Sequence, residues 1–194
     1  MRINQFISKK RTGTVNPAIT EELILDGLKL RAITDEDCAE LCQYTSLKCL
    51  SMNQCSLTDV SKLPQFPLVE SLELHDNKLS GAQTLAVIVA KFPALSTLYM
   101  AGNRLGSLVE LAPLTALKTL KEIDVEMNPF TGENAQPNVR SQIFDALPQL
   151  EIVNGFNKDG VELADSVSGS EGDDRDDPEL VTEDISNITQ ITSP

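Results

Sequence analysis

Tryptophan is absent and aromatic residues make up only 4% of the 194 residues, so a core anchored on a few large rings is excluded. Hydrophobic residues still reach 41%, which leaves leucine and its relatives to fill the interior in many similar layers. Long apolar runs are also missing. The longest, Leu85 to Ala90, falls far short of the roughly 20 residues that a membrane helix needs. The start, Met1 to Gly13, is polar and basic and has no apolar stretch of signal length. These features predict a soluble, intracellular chain. There the four cysteines (Cys38, Cys42, Cys49 and Cys55) would stay as thiols.

Catalytic chemistry is equally thin. His75 is the sole histidine. Cys38 and Cys42 fall on a helical pattern and Cys55 at a turn, so no metal-ligand set forms around it. Cys49 and His75 occupy different strand positions with no third orienting group, which argues against a nucleophilic pair. The glycines are scattered at turns and build no phosphate loop. The expectation is a protein with no enzymatic activity and no cofactor.

Basic residues are scarce. Lys and Arg number 16 against 29 acids, for a net charge of -13. Phosphates of nucleic acids and anionic membrane surfaces are repelled by such a chain, and basic proteins are attracted. The imbalance is concentrated. Residues 159–194 hold 11 acids against Arg175 alone, whereas residues 1–158 hold 18 acids against 15 bases.

What the chain does have is a repeat. The pattern L-x-x-L-x-L-x-x-N/C-x-L occurs at Leu47, Leu50, Met52, Cys55, Leu57 and again at Val69, Leu72, Leu74, Asn77, Leu79. It recurs at Leu95, Leu98, Met100, Asn103, Leu105 and at Leu120, Ile123, Val125, Asn128, Phe130. A degenerate first copy has Leu23, Leu25, Leu28 and Leu30; a truncated last copy is assigned to Leu147, Leu150 and Ile152. Leu23, Leu50, Leu72, Leu98 and Ile123 follow one another at intervals of 27, 22, 26 and 25 residues. Such intervals fit one short strand plus a helix or 3₁₀ turn per repeat. The predicted fold is therefore an α/β leucine-rich-repeat solenoid, with a parallel sheet on its concave side and helical returns on its convex side.

The parts follow from this register. Thr34 or Asp35 is expected to cap a helix through Cys38, Leu41 and Cys42, and Ser80 another through Leu85, Ile88 and Val89. Pro64 and Pro67 shorten the return in the 22-residue interval. Cys55 stands where Asn77, Asn103 and Asn128 stand, as a small turn-filling group with a weak S–H donor. Residues 1–20, with Ile3, Phe6, Ile7 and Val15, form the N-terminal cap. Residues 21–163 form the repeat domain, with a C-terminal cap at 139–163 that opens on a helix from Asn138 to Leu147. Residues 164–194 form an acidic tail too poor in apolar side chains to fold alone.

Several stretches resemble the acidic leucine-rich nuclear phosphoprotein family. They are the cap Leu147-Pro148-Gln149-Leu150-Glu151-Ile152-Val153-Asn154-Gly155-Phe156 with Asn157 to Gly160, and Glu73-Leu74-His75-Asp76-Asn77-Lys78-Leu79-Ser80-Gly81. Leu98-Tyr99-Met100-Ala101-Gly102-Asn103 and Asn138 to Phe144 belong with them. A similar cap occurs in the spliceosomal A-prime protein and in some dynein light chains. The resemblance implies a nuclear or nucleocytoplasmic protein that binds histones or chromatin, inhibits protein phosphatase 2A, or serves as an adaptor. The spliceosomal likeness implies a ribonucleoprotein subunit that bridges proteins. One departure stands out, because acids in this tail never run longer than pairs such as Asp173-Asp174.

Residues flanking the inward leucines should line the hollow. Over six strands these are Glu22, Ile24, Asp26, Cys49, Ser51, Asn53, Ser71, Glu73 and His75, then Thr97, Tyr99, Ala101, Glu122, Asp124, Glu126, Gln149, Glu151 and Val153. None is Lys or Arg. The concave face is where solenoids bind, so Glu22, Asp26, Glu73, His75, Tyr99, Glu122, Asp124, Glu126 and Glu151 are the candidate partner-binding residues. A basic segment such as a histone tail is the expected partner. Tyr99 would either stack on an incoming Arg or Lys or cover its own neighbours. In the tail, Ser168 and Ser170 each have an acid three residues on, the pattern of casein kinase two, and their phosphorylation would deepen the tail's charge. Lys9-Lys10-Arg11 is a candidate import signal.

Overall fold

A computed structural model of the chain describes residues 2–10, 16–132 and 138–163. The expectations for Val15, Ser168, Ser170 and the tail lie outside these residues.

The leucine period folds as predicted. Strands β1 (Glu22–Ile24), β2 (Cys49–Ser51), β3 (Ser71–Glu73), β4 (Thr97–Tyr99), β5 (Glu122–Asp124) and β6 (Ile152–Val153) stack in chain order. All five pairings between them are parallel. β7 (Phe156–Asn157) turns back antiparallel on β6 and ends the sheet. Leu23, Leu50, Leu72, Leu98 and Ile123 are cross-strand partners, all buried. Side chains alternate along a strand, so this row and the next inward row (Leu25, Met52, Leu74, Met100 and Val125) fill the interior while the residues between them face the hollow.

Each repeat leaves its strand through a tight turn, where a buried asparagine pairs the backbone. The Asn103 amide donates to the carbonyls of Leu74 (2.8 Å), Met100 (3.0 Å) and Ala101 (3.3 Å), and its oxygen accepts from the Leu79 N–H (3.1 Å). Asn77 and Asn128 repeat the arrangement one layer either side. Each ties two consecutive layers, satisfying backbone groups that strand and return leave open. Cys55 fills the same place, its thiol donating to Leu25 O at 3.2 Å, and burial pushes that thiol up to about 11 so that the S–H persists. The residue before each of these takes positive φ, and before Asn103 it is a glycine, Gly102 (φ 66°). A Cβ there would collide with the Asp76 carboxylate unless that side chain moved aside.

The returns differ from layer to layer. Helix α2 (Asp35–Leu41) carries a capping box: Thr34 Oγ1 accepts from the Asp37 N–H and the Asp37 carboxylate accepts from the Thr34 N–H. Helix α3 (Ala82–Lys91) is capped by Gly81 rather than Ser80. Gly81 adopts φ 80°, makes no side-chain cap, and donates its own N–H to Glu110 of the next layer at 2.7 Å. The return between β2 and β3 has no helix and buries Leu57, Val60, Leu63 and Phe66 instead. Leu108–Ala116 is a 3₁₀ run around Pro113 that the leucine pattern alone did not indicate.

Both ends are covered. Helix α1 (Ile3–Lys10) buries Ile3 and Ile7 and half-buries Phe6. The buried Asp37 carboxylate pins α1 by accepting from the Ile3 N–H (3.2 Å) and Arg2 (3.2 Å). At the other end, helix α4 (Val139–Ala146) buries Ile143 and rests on the 3₁₀ run.

Candidate functional site

The last repeat corrects the expected lining. Val153, not Leu150, pairs with Ile123, and Ile152 pairs with Glu122. The pattern is displaced by three residues because α4 uses the chain up to Ala146 before the strand begins. An odd displacement exchanges the two faces. Val153 is therefore buried, and Ile152 takes the place beside Glu122 that was assigned to Gln149. Gln149 points away, donating to Leu114 O at 3.0 Å on the convex side. Glu151 lies before the strand and is held by Lys121 of its own chain at 2.6 Å, a pairing that lowers its carboxyl below the usual range. It drops out of the candidate site.

The other candidates lie where the register places them, and they fall into two groups. In the N-terminal half two of the three carboxylates, Asp26 and Glu73, are already occupied, while Glu22 stays exposed on β1 with no ion pair among the described residues. Asp26 accepts from the Ser51 hydroxyl (2.7 Å) and the Asn53 N–H (2.8 Å). Glu73 accepts from the Asn53 amide (2.9 Å) and lies 3.0 Å from the same hydroxyl, whose single proton the two carboxylates share. The Asn53 oxygen in turn accepts from the His75 N–H at 2.8 Å. Ser51 and Asn53 thus form a donor bridge between two carboxylates that would otherwise repel.

In the C-terminal half the acids stand more open. Glu122, Asp124 and Glu126 occupy β5 and its continuation. Glu122 accepts from the Tyr99 hydroxyl at 2.9 Å, and Asp124 uses one oxygen on the Glu126 N–H at 2.9 Å. The Glu126 carboxylate has no hydrogen-bond or ion-pair partner among the described residues. The Tyr99 ring stacks on His75, with centroids 5.5 Å apart and planes 14° from parallel. Of the two roles expected for Tyr99, covering its neighbours is therefore realised within the chain.

Among the described residues, the ion pairs are Arg2–Asp37, Lys48–Glu21, Lys62–Asp35 and Lys121–Glu151. None reaches into the hollow. Two neutral groups there register its field. Burial is the largest influence raising the Tyr99 phenol, followed by its bond to Glu122 and the charges of Glu122, Glu73 and Asp124. Burial likewise raises the Cys49 thiol, and Glu73 and Glu22 raise it further. A thiol held protonated in this way is a poor nucleophile. No cluster of three or more potential metal ligands occurs among the described residues.

Comparison with known proteins agrees with this architecture. A leucine-rich repeat family profile matches residues 2–168. An acidic leucine-rich nuclear phosphoprotein 32-related protein of Plasmodium falciparum is 36% identical over 145 residues, covering 75% of this chain and 50% of that protein. The related protein 1 of Caenorhabditis elegans is 31% identical over 165 residues, covering 84% of this chain and 68% of its own length. The chain belongs to the acidic leucine-rich nuclear phosphoprotein 32-related family. It spans about half the length of the Plasmodium relative and about two thirds of the nematode one. The fold is also that of a chain in the Drosophila melanogaster SNF/U2A' complex, at 23% identity and a TM-score of 0.60, covering 81% of this chain and 86% of that one. Membership in this family points to a protein-interaction module built on leucine-rich repeats.

Proposed function

We propose that this family member binds basic protein segments, histones among them, through the C-terminal half of its acidic hollow. The observation that carries the reading is a continuous wall of carboxylates, Glu122, Asp124 and Glu126 beside Tyr99, that no lysine or arginine of the described chain neutralises. Inside a concave surface such a field concentrates cations and accelerates their encounter. The relatives are named nuclear phosphoproteins, which supports a nuclear site of action. A chromatin or histone-chaperone role is the form of this activity we favour.

Affinity capture from nuclear extract by the full chain, with mass spectrometry, tests the reading. Core histones should be retained, and should be lost when Glu122, Asp124 and Glu126 are all changed to Lys. Retention of phosphatase 2A subunits or splicing proteins in their place, unaffected by that reversal, would replace the proposal with a phosphatase regulator or a ribonucleoprotein subunit.

A further inference from the structure

Basic partners come in two chemistries, and the hollow discriminates between them. Lysine is a compact, strongly hydrated point charge, whereas arginine is a planar fork that lies on aromatic faces and takes a carboxylate with two parallel N–H bonds. A site selects arginine when it offers a flat ring with one free face and a carboxylate at its edge.

Tyr99 supplies the ring, and its neighbours on β5 supply the carboxylates. His75 follows β3 and stacks on the ring from that side. On the other side of β4 lies β5, where Asp124 is the register partner of Tyr99. Strands in a sheet lie about 4.8 Å apart, so the carboxylate and the ring edge border the same space. Ala101, two residues on from Tyr99 and therefore on the same face of the sheet, puts only a methyl beside the ring. The hydroxyl of Tyr99 is fixed on Glu122 at 2.9 Å, which holds the ring in one orientation. Two carboxylates within reach, those of Asp124 and Glu126, have lone pairs not used inside the described chain.

We infer that the open face of Tyr99, backed by His75 and edged by Asp124 and Glu126, is a slot for an arginine guanidinium, and that the hollow prefers arginine-bearing to lysine-bearing segments. The inference rests on the proposed binding of basic segments and adds the identity of the side chain read. The stacking contributes to arginine beyond the shared charge attraction, which both residues receive.

Two blocked peptides of equal length and charge, one of alternating Arg and Gly and one of alternating Lys and Gly, are titrated into the full chain at moderate salt by calorimetry. The arginine peptide should bind about tenfold more tightly. Tyr99→Leu should bring the two affinities within about twofold, mainly by weakening the arginine peptide. Because Tyr99 is half-buried, Ala101→Leu serves as an independent variant: it leaves the ring and fills the space beside it, and should also erase the preference. Tyr99→Phe keeps the ring and should keep the preference. Equal binding of the two peptides by the unaltered chain, or a preference that survives Tyr99→Leu and Ala101→Leu, overturns the slot while leaving basic-segment binding in place. No binding of either peptide overturns both.

Discussion

The two halves of the hollow carry similar charge but spend it differently. In the N-terminal half, Asp26 and Glu73 share the donors of Ser51 and Asn53, so their negative charge is tied into the architecture of the sheet. In the C-terminal half, Glu122 holds a tyrosine in place, and Asp124 and Glu126 keep acceptor capacity for something outside the chain. Counting acids along the strands would treat the halves as equivalent. Hydrogen bonding separates a tied pair, Asp26 and Glu73, from the receptive acids of β5.

That contrast can be broken most directly by charge. Changing Glu122, Asp124 and Glu126 to Lys should lower affinity for a basic peptide by well over tenfold, because it replaces attraction with repulsion across a focused surface. Asp26→Ala should hardly move the affinity but should lower stability by about 1 kcal/mol, since Ser51 and the Asn53 N–H lose an acceptor. Peptide titration and chemical denaturation of the two variants together read out the difference. Comparable affinity losses would merge the halves.

Stability should depend next on the groups that tie layers together beneath both halves. Asn103→Ala removes three donated bonds and one accepted bond from buried backbone, and should cost about 2–3 kcal/mol by urea denaturation. Gly102→Ala should cost about 1–3 kcal/mol, from positive φ and the clash with Asp76. The smallest effect is expected at Met127, an exposed residue at φ 53°: Met127→Gly should be neutral or stabilise by a few tenths of a kcal/mol.

The N-terminal cap gives a pH-dependent contrast with the sheet. Burial pushes the Asp37 carboxyl up, but its bonds to Thr34, the Ile3 N–H and Arg2 outweigh this and leave it below its ordinary value of 3.8. A carboxyl lowered on folding contributes stability above its unfolded value, and that contribution fades as pH falls through the folded one. Amide exchange in helix α1 should therefore accelerate below about pH 4 before exchange in β3 and β4 does. Asp37→Asn should produce the faster α1 exchange already at neutral pH.

Most of the fold was legible because one physical rule repeats. Inward leucines at Leu23, Leu50, Leu72, Leu98 and Ile123 fixed strand positions and the faces of five strands, and the Asn or Cys after the last four fixed their turns. The sixth strand was misread because Leu147, Leu150 and Val153 are equally spaced, so periodicity alone accepts two registers. Packing of α4 and the β6–β7 hairpin chooses between them. The Gly81 cap was missed because its partner, Glu110, comes from the next layer. Within the site, charge was readable from the repeat, but the division into two halves was not. The Asp26–Ser51–Asn53–Glu73 bridge and the His75–Tyr99 stack join repeats 20 or more positions apart, side by side only once the layers stack. Aligning the repeats in columns would have placed Asp26, Asn53 and His75 together and offered that signal.

Backbone amide shifts recorded while a basic peptide is titrated into the full chain test the central claim most directly. Changes should concentrate at Tyr99, Ala101, Glu122, Asp124 and Glu126, with Asp26, Ser51 and Asn53 little affected. Changes spread evenly over both groups, or centred on the convex returns, would contradict the account.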